Sequence, residues 1–234
     1  MNIFVFGCSW SDDRVVDNNI TTSWVYELSK IMPEHNFYNF AYSGSSVHHS
    51  ILIMESVLTN FQIKPDKIIF QVTSEGRVTY YKNQDFKNFN LKVEKISNNY
   101  FKFDIGKKDN FHNVCCVNYG MLNPNNNSSH NHWTKIKKFA KIYYTNLTKE
   151  EHFDLEYKIQ LEYIKQKSDL FFLHKKHNVT NISSFSFEPN NEFLVIEDLL
   201  PINQDSFIID NGFHFSYIGC KWQAEIIKHM IKKI

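Results

Sequence analysis

The sequence predicts an α/β fold built on a parallel sheet, and two observations carry that prediction. The first seventy or so residues alternate β-α-β-α-β, and an amphipathic helix closes the chain. With 234 residues, 42% of them hydrophobic and 22% charged, there is enough apolar material for one sizeable core. We therefore expect a single domain over residues 1–234, elaborated by an insertion over 78–130.

The elements follow from local pattern. Asn2 to Phe6 is a short β-branched and aromatic run that stops at Gly7, so it reads as a buried strand delivering Cys8, Ser9 and Trp10 to a sheet edge. Thr21-Thr22-Ser23 offers capping hydroxyls, and Trp24, Val25, Leu28, Ile31 and Met32 then recur at helical spacing up to Pro33. Residues 36–41 form a second apolar run, followed by a turn-rich stretch. Val47, Ile51, Met54, Leu58 and Phe61 fall on one stripe and predict a helix over 46–61, which Lys64-Pro65-Asp66 breaks. Lys67 to Val72 is the third strand. In sheets of this kind, sites lie at the carboxyl ends of the strands.

Regularity fades after residue 78. Alternating pieces at Asn90–Val93 and Tyr100–Ile105, separated by turn-forming residues, predict a β-rich, hairpin-like insertion that decorates the sheet, and the Asn-rich 123–129 reads as an exposed loop. Residues 131–146 and 149–176 are rich in helix formers. Within the second stretch Phe153, Leu155, Tyr157, Ile159, Leu161 and Tyr163 alternate like a strand, so the helix there rests on composition rather than period. Asn178–Phe187 and Phe193–Ile196 read as strand and loop segments, and Cys220, Ala224, Ile227, Ile231 and Ile234 make the stripe of the closing helix.

Charge and cysteine usage narrow the partners. A net charge of +1 and a pI near 7.7 supply no electrostatic footprint for nucleic acid or an anionic membrane, so neither is an expected partner. No apolar run approaches membrane-spanning length. The N-terminus enters a strand without a basic or cleavable segment, and Cys8, Cys115, Cys116 and Cys220 have no paired metal spacing, so a reduced cytoplasmic protein is expected. His48-His49, His130-x-His132 and Asp12-Asp13 likewise lack a recognised ligand spacing, and no metal or cofactor is expected. Asp12 and Asp13 are read as capping residues or as the lining of a site mouth.

The chemistry-bearing residues lie at the two ends of the chain. Ser9 follows the first strand, where it is either a nucleophile or an ordinary cap. Asp210-Asn211-Gly212-Phe213-His214-Phe215-Ser216 forms a polar turn before the last helix, presenting an acid and an imidazole on a loop. Serine catalysis needs a base to take its proton and a group to orient that base. Trp10, beside the serine, and Arg77, beyond the third strand, are read as substrate-binding.

These residues, in this order, resemble the SGNH/GDSL hydrolase family of serine esterases and acyltransferases. Gly7-Cys8-Ser9 is similar to its first block, with Cys8 in place of the acid, and Asn39-Phe40-Ala41-Tyr42-Ser43-Gly44 to its second. Val72-Thr73-Ser74-Glu75 stands where the third block carries an oxyanion Asn, and His214 matches the last block, with Asn211 at the acid's place and Asp210 one residue earlier. The resemblance implies a flavodoxin-like three-layer α/β/α sandwich. It also implies Ser9 as nucleophile, His214 as base, Asp210 as its orienter, with Asn211 or a backbone carbonyl as the alternative partner, and an oxyanion hole of Ser9, Gly44 and Ser74. The implied substrate is a small-molecule or glycan ester, such as an O-acetyl group on a carbohydrate. The alternative is a catalytically inactive SGNH-like binding or interaction module.

Overall fold

The computed structural model describes residues 1–16, 20–43, 45–73, 77–81, 91–105, 114–118, 150–173, 194–200, 207–209 and 214–234. Its centre is β1 (Asn2–Phe6), flanked by β4 (Asn36–Asn39) and β5 (Lys67–Val72), both parallel to it. Outward from β5 lie β10 (Leu170–Leu173) and β11 (Leu194–Val195); outward from β4 lie β8 (Tyr100–Ile105) and β7 (Leu91–Lys95). The resulting seven-stranded sheet has the order β11-β10-β5-β1-β4-β8-β7, and only the edge pair β7–β8 is antiparallel. This is an α/β fold with a mixed, mostly parallel sheet. Setting the β7–β8 hairpin aside, the parallel strands run second-first-third-fourth-fifth in chain order, so the winding direction reverses beside β1.

A strand buried on both faces needs a continuous apolar run rather than alternation, and β1 supplies one. Ile3 and Val5 pack with Trp24, Val25 and Leu28 of α1 (Trp24–Ile31) and Cys220, Ala224, Ile227 and Ile231 of α4 (Tyr217–Ile231). Phe4 and Phe6 belong to a separate cluster with Ile53, Met54 and Val57 of α2 (Val47–Asn60) and Tyr157, Leu161 and Ile164 of α3 (Glu150–Lys167). Each fully buried side chain of this size contributes about 1.5–3 kcal/mol. Ser23, among the capping hydroxyls the sequence offers, is the N-cap of α1, and Ser46 and Ser216 cap α2 and α4, each accepting a backbone N–H three residues on.

Several expectations need correction. The hairpin within 78–130 extends the sheet rather than decorating it, because β8 pairs in parallel with β4 through Phe37, Tyr38 and Asn39. Two short antiparallel ribbons were not anticipated: β2 (Arg14–Val16) with β3 (Ile20–Thr22), and β6 (Arg77–Tyr81) with β9 (Val114–Asn118). The helix expected over 149–176 ends at Lys167. There Ser168 closes the last turn onto the Ile164 carbonyl, and Asp169 bonds both backbone groups of Ile68, so Leu170-Phe171-Phe172-Leu173 starts as a strand beside β5. Within α3 the strand-like alternation is incidental: Tyr157, Leu161 and Ile164 face the core while Ile159 is 61% exposed. Ile234 lies beyond α4 and is exposed. The expected features at 123–129, 131–146 and 178–187 lie outside the described residues.

α4 packs closely enough that a Cβ on Gly219 would come within 2.2 Å of the Phe207 carbonyl oxygen. One turn on, Gln223 is fully buried, and neither atom of its carboxamide has a hydrogen-bond partner among the described residues. Such a group costs about 1–3 kcal/mol. Gln223→Leu is therefore expected to raise stability by about 1–2 kcal/mol, read as a higher urea midpoint at unchanged slope. A lower midpoint would contradict the assignment of that carboxamide as unsatisfied.

Candidate functional site

The site is built on the turn that follows β1. The Cys8 carbonyl accepts the N–H groups of Ser11 at 2.9 Å and Asp12 at 3.0 Å, closing a tight turn with Ser9 and Trp10 at its tip. Gly7 leaves room there, since a Cβ would sit 2.9 Å from Gln71 Oε1. Both flanks of the turn are bonded. Trp24 Nε1 donates to Ser11 Oγ at 2.9 Å and Asn39 Nδ2 donates to the Ser11 carbonyl at 2.7 Å, while Tyr42 N donates to the Gly7 carbonyl at 3.1 Å.

His214 arrives from the other end of the chain. It opens β13 (His214–Phe215), which pairs antiparallel with β12 (Ile208–Ile209), and it stands two residues before the Ser216 cap of α4. Ser216 N donates to the Phe207 carbonyl at 2.8 Å, so the segment is fixed on both sides. His214 Nε2 lies 3.1 Å from Ser9 Oγ, although the two are 205 positions apart in the sequence. With the ring proton on Nδ1, Nε2 accepts the serine proton, the geometry a general base needs.

Trp10, expected to bind substrate, lies against the imidazole, with ring centroids 4.9 Å apart and planes at 43°. Phe215 lies 6.1 Å from it edge-on. Ser9 and His214 are thus the two predicted catalytic residues that the structure brings together. Asp210, Gly44 and Ser74 lie outside the described residues. Arg77 opens β6, opposite Asn118 of β9.

The acids after the turn do more than line a mouth. Asp12 accepts Ser43 N at 3.0 Å and Ser43 Oγ at 2.6 Å, and pairs with Lys102 at 3.2 Å, tying the turn that carries Ser9 to the loop after β4 and to β8. Asp13 is turned inward, accepting hydrogen bonds from Ser23 Oγ and from Tyr100 OH at 2.7 Å. Burial pushes its carboxyl above the usual range, against the pull of those bonds and of Lys102. The Tyr100 hydroxyl is driven up by burial and by the adjacent Asp13. Sequence reasoning missed this network because a tyrosine in an insertion carries no local sign of a partner far along the chain. Among the described residues, no group of three or more His, Cys, Asp or Glu side chains is placed to hold a metal ion.

No protein-family model, curated protein or solved structure matches the chain.

Behind the turn, a second serine–histidine contact is wholly buried. Ser45 Oγ lies 3.0 Å from His49 Nδ1 and 2.9 Å from Ser50 Oγ, and Ser50 donates to the Gly7 carbonyl at 3.2 Å. Burial, aided by the neighbouring His48, lowers the His49 pKa from 6.5 to about 4. A histidine kept neutral in the fold stabilises the protein fully above about pH 6.5, and that contribution is lost as pH falls toward 4. Going from pH 7 to pH 5 is expected to cost the wild type about 1–2 kcal/mol more than it costs His49→Gln in urea unfolding. Equal losses in the two proteins would contradict a neutral buried His49.

Proposed function

We propose that the protein is a serine-dependent hydrolase or acyltransferase acting on an ester, with an SGNH-like three-layer fold. The observation that carries this reading is the 3.1 Å approach of His214 Nε2 to Ser9 Oγ. It is supported by location: Ser9 follows β1 at the carboxyl end of the parallel strands, beside the reversal of winding where doubly wound sheets bind their ligands. The separation of two apolar clusters, one with α1 and α4 and the other with α2 and α3, supports the layered architecture.

In this reading Ser9 Oγ attacks the ester carbonyl while His214 Nε2 takes its proton, forming a tetrahedral oxyanion. Collapse expels the alcohol, which receives that proton from His214 and leaves an acyl group on Ser9. Water releases the acid in hydrolysis, or a second hydroxyl takes the acyl group in transfer, His214 again accepting and returning a proton. The Ser9 N–H, with Gly44 and Ser74 of the sequence reading, supplies the oxyanion donors, and Asp210 orients His214. One such donor is worth roughly 3–4 kcal/mol. An O-acetyl ester of a carbohydrate is the substrate class we favour.

Hydrolysis of 4-nitrophenyl acetate tests the assignment. We expect kcat/KM to fall by more than about 10³-fold in Ser9→Ala and in His214→Ala, both remaining folded. Folded wild type without turnover, or turnover that survives both substitutions, would contradict the proposal and favour a non-catalytic binding module.

A further inference from the structure

We infer that Gln71 is a positioning residue for Ser9, a reading that rests on the proposed role of Ser9 as nucleophile. Gln71 stands near the end of β5 and is 1% exposed. A carboxamide in such a place costs about 1–3 kcal/mol unless it is bonded, so its partners show what it holds. Its Oε1 faces three donors at once: Cys8 N at 3.2 Å, Cys8 Sγ at 3.3 Å and Ser11 Oγ at 3.4 Å. Its Nε2 donates to the Val72 carbonyl at 2.6 Å, which fixes the amide's orientation. The donors belong to residues on either side of Ser9.

Register explains why a side chain is needed there. The β1–β5 pairing ends at Phe6 opposite Phe70, one step before Gln71. Beyond it the chain turns away, and the Cys8 N–H meets the Gln71 side chain where a continuing strand would have offered a carbonyl. The side chain thus extends the ladder into the turn, and Gly7 leaves room for it because a Cβ would meet Oε1 at 2.9 Å. Nucleophile geometry is sensitive to small displacements, so loosening this contact lowers the rate of attack more than it lowers substrate binding.

The test compares Gln71→Met, similar in size but without the acceptor, with Gln71→Glu, whose buried neutral carboxyl keeps an acceptor for Cys8 and a donor for Val72. Turnover of 4-nitrophenyl acetate and peptide-level hydrogen exchange are measured on the full chain. We expect Gln71→Met to lower kcat by about 10- to 100-fold with KM within about twofold, and to speed exchange at residues 8–12 alone. Gln71→Glu is expected to stay within a few-fold of wild type on both readouts. If Gln71→Met does not fold, Gly7→Ala displaces the carboxamide with Gln71 retained and is expected to give the same kcat loss and the same local exchange. Wild-type kcat with unchanged exchange at 8–12, or a loss of protection spread evenly over the chain, would overturn the inference. A wild type with no turnover defeats the reading of Ser9 instead, and exchange at 8–12 still decides whether Gln71 holds the turn.

Discussion

Side chains from four elements of the fold converge on the few residues that follow β1. Gln71 comes from β5, Trp24 from α1, Asn39 from β4, and Tyr100 of β8 reaches the same region through Asp13. Each such bond nets only about 0.5–1.5 kcal/mol, yet removing one partner from a buried pair costs about 1–3 kcal/mol, so the set defines one arrangement sharply. Asn39 shows how closely the pieces are joined. Its Nδ2 serves both the Ser11 carbonyl and the Tyr100 hydroxyl, while its Oδ1 accepts the Ala41 N–H. The turn carrying Ser9 is therefore held by the sheet beneath it, which is how a loop residue acquires a fixed position.

The other half of the site depends on topology. β1 lies at the centre of the sheet, and the winding reverses beside it, so the crevice above its carboxyl end is open to segments from elsewhere in the chain. The start of α4 uses that opening. α4 packs along α1 on one face of the sheet, and the β12–β13 ribbon before it carries His214 to the Ser9 turn. Phe215 links the two functions of this segment, since it packs in the core with α4 residues and also meets Trp10 and Trp222 edge-on. The imidazole stands between the serine hydroxyl and the Trp10 ring.

Much of this was legible in the chain because the signals were local. Apolar runs located β1, α1, α2, β5 and α4, capping hydroxyls marked the start of α1, and the strand-to-turn break at Gly7 and the polar turn before α4 pointed to Ser9 and His214. Long-range pairing was not legible. The alternation at Tyr100–Ile105 announced a strand but not that it would pair with β4, and the helix-forming composition of 149–176 gave no sign that Asp169 would bond Ile68 and end the helix at Lys167. Gln71 was a signal passed over: one amide in an otherwise apolar run at a strand's carboxyl end must be bonded to something. Asp12 and Asp13 looked alike in sequence and differ in space, because one faces Ser43 and Lys102 and the other is buried against Ser23 and Tyr100.

The central claim is that His214 activates Ser9. Intact-mass measurement after exposure to a fluorophosphonate, followed by peptide mapping, tests it without knowledge of the natural substrate. A single covalent adduct on Ser9 is expected, absent from the folded Ser9→Ala and His214→Ala proteins. A folded wild type that takes up no adduct, or an adduct mapped to another residue, would contradict it.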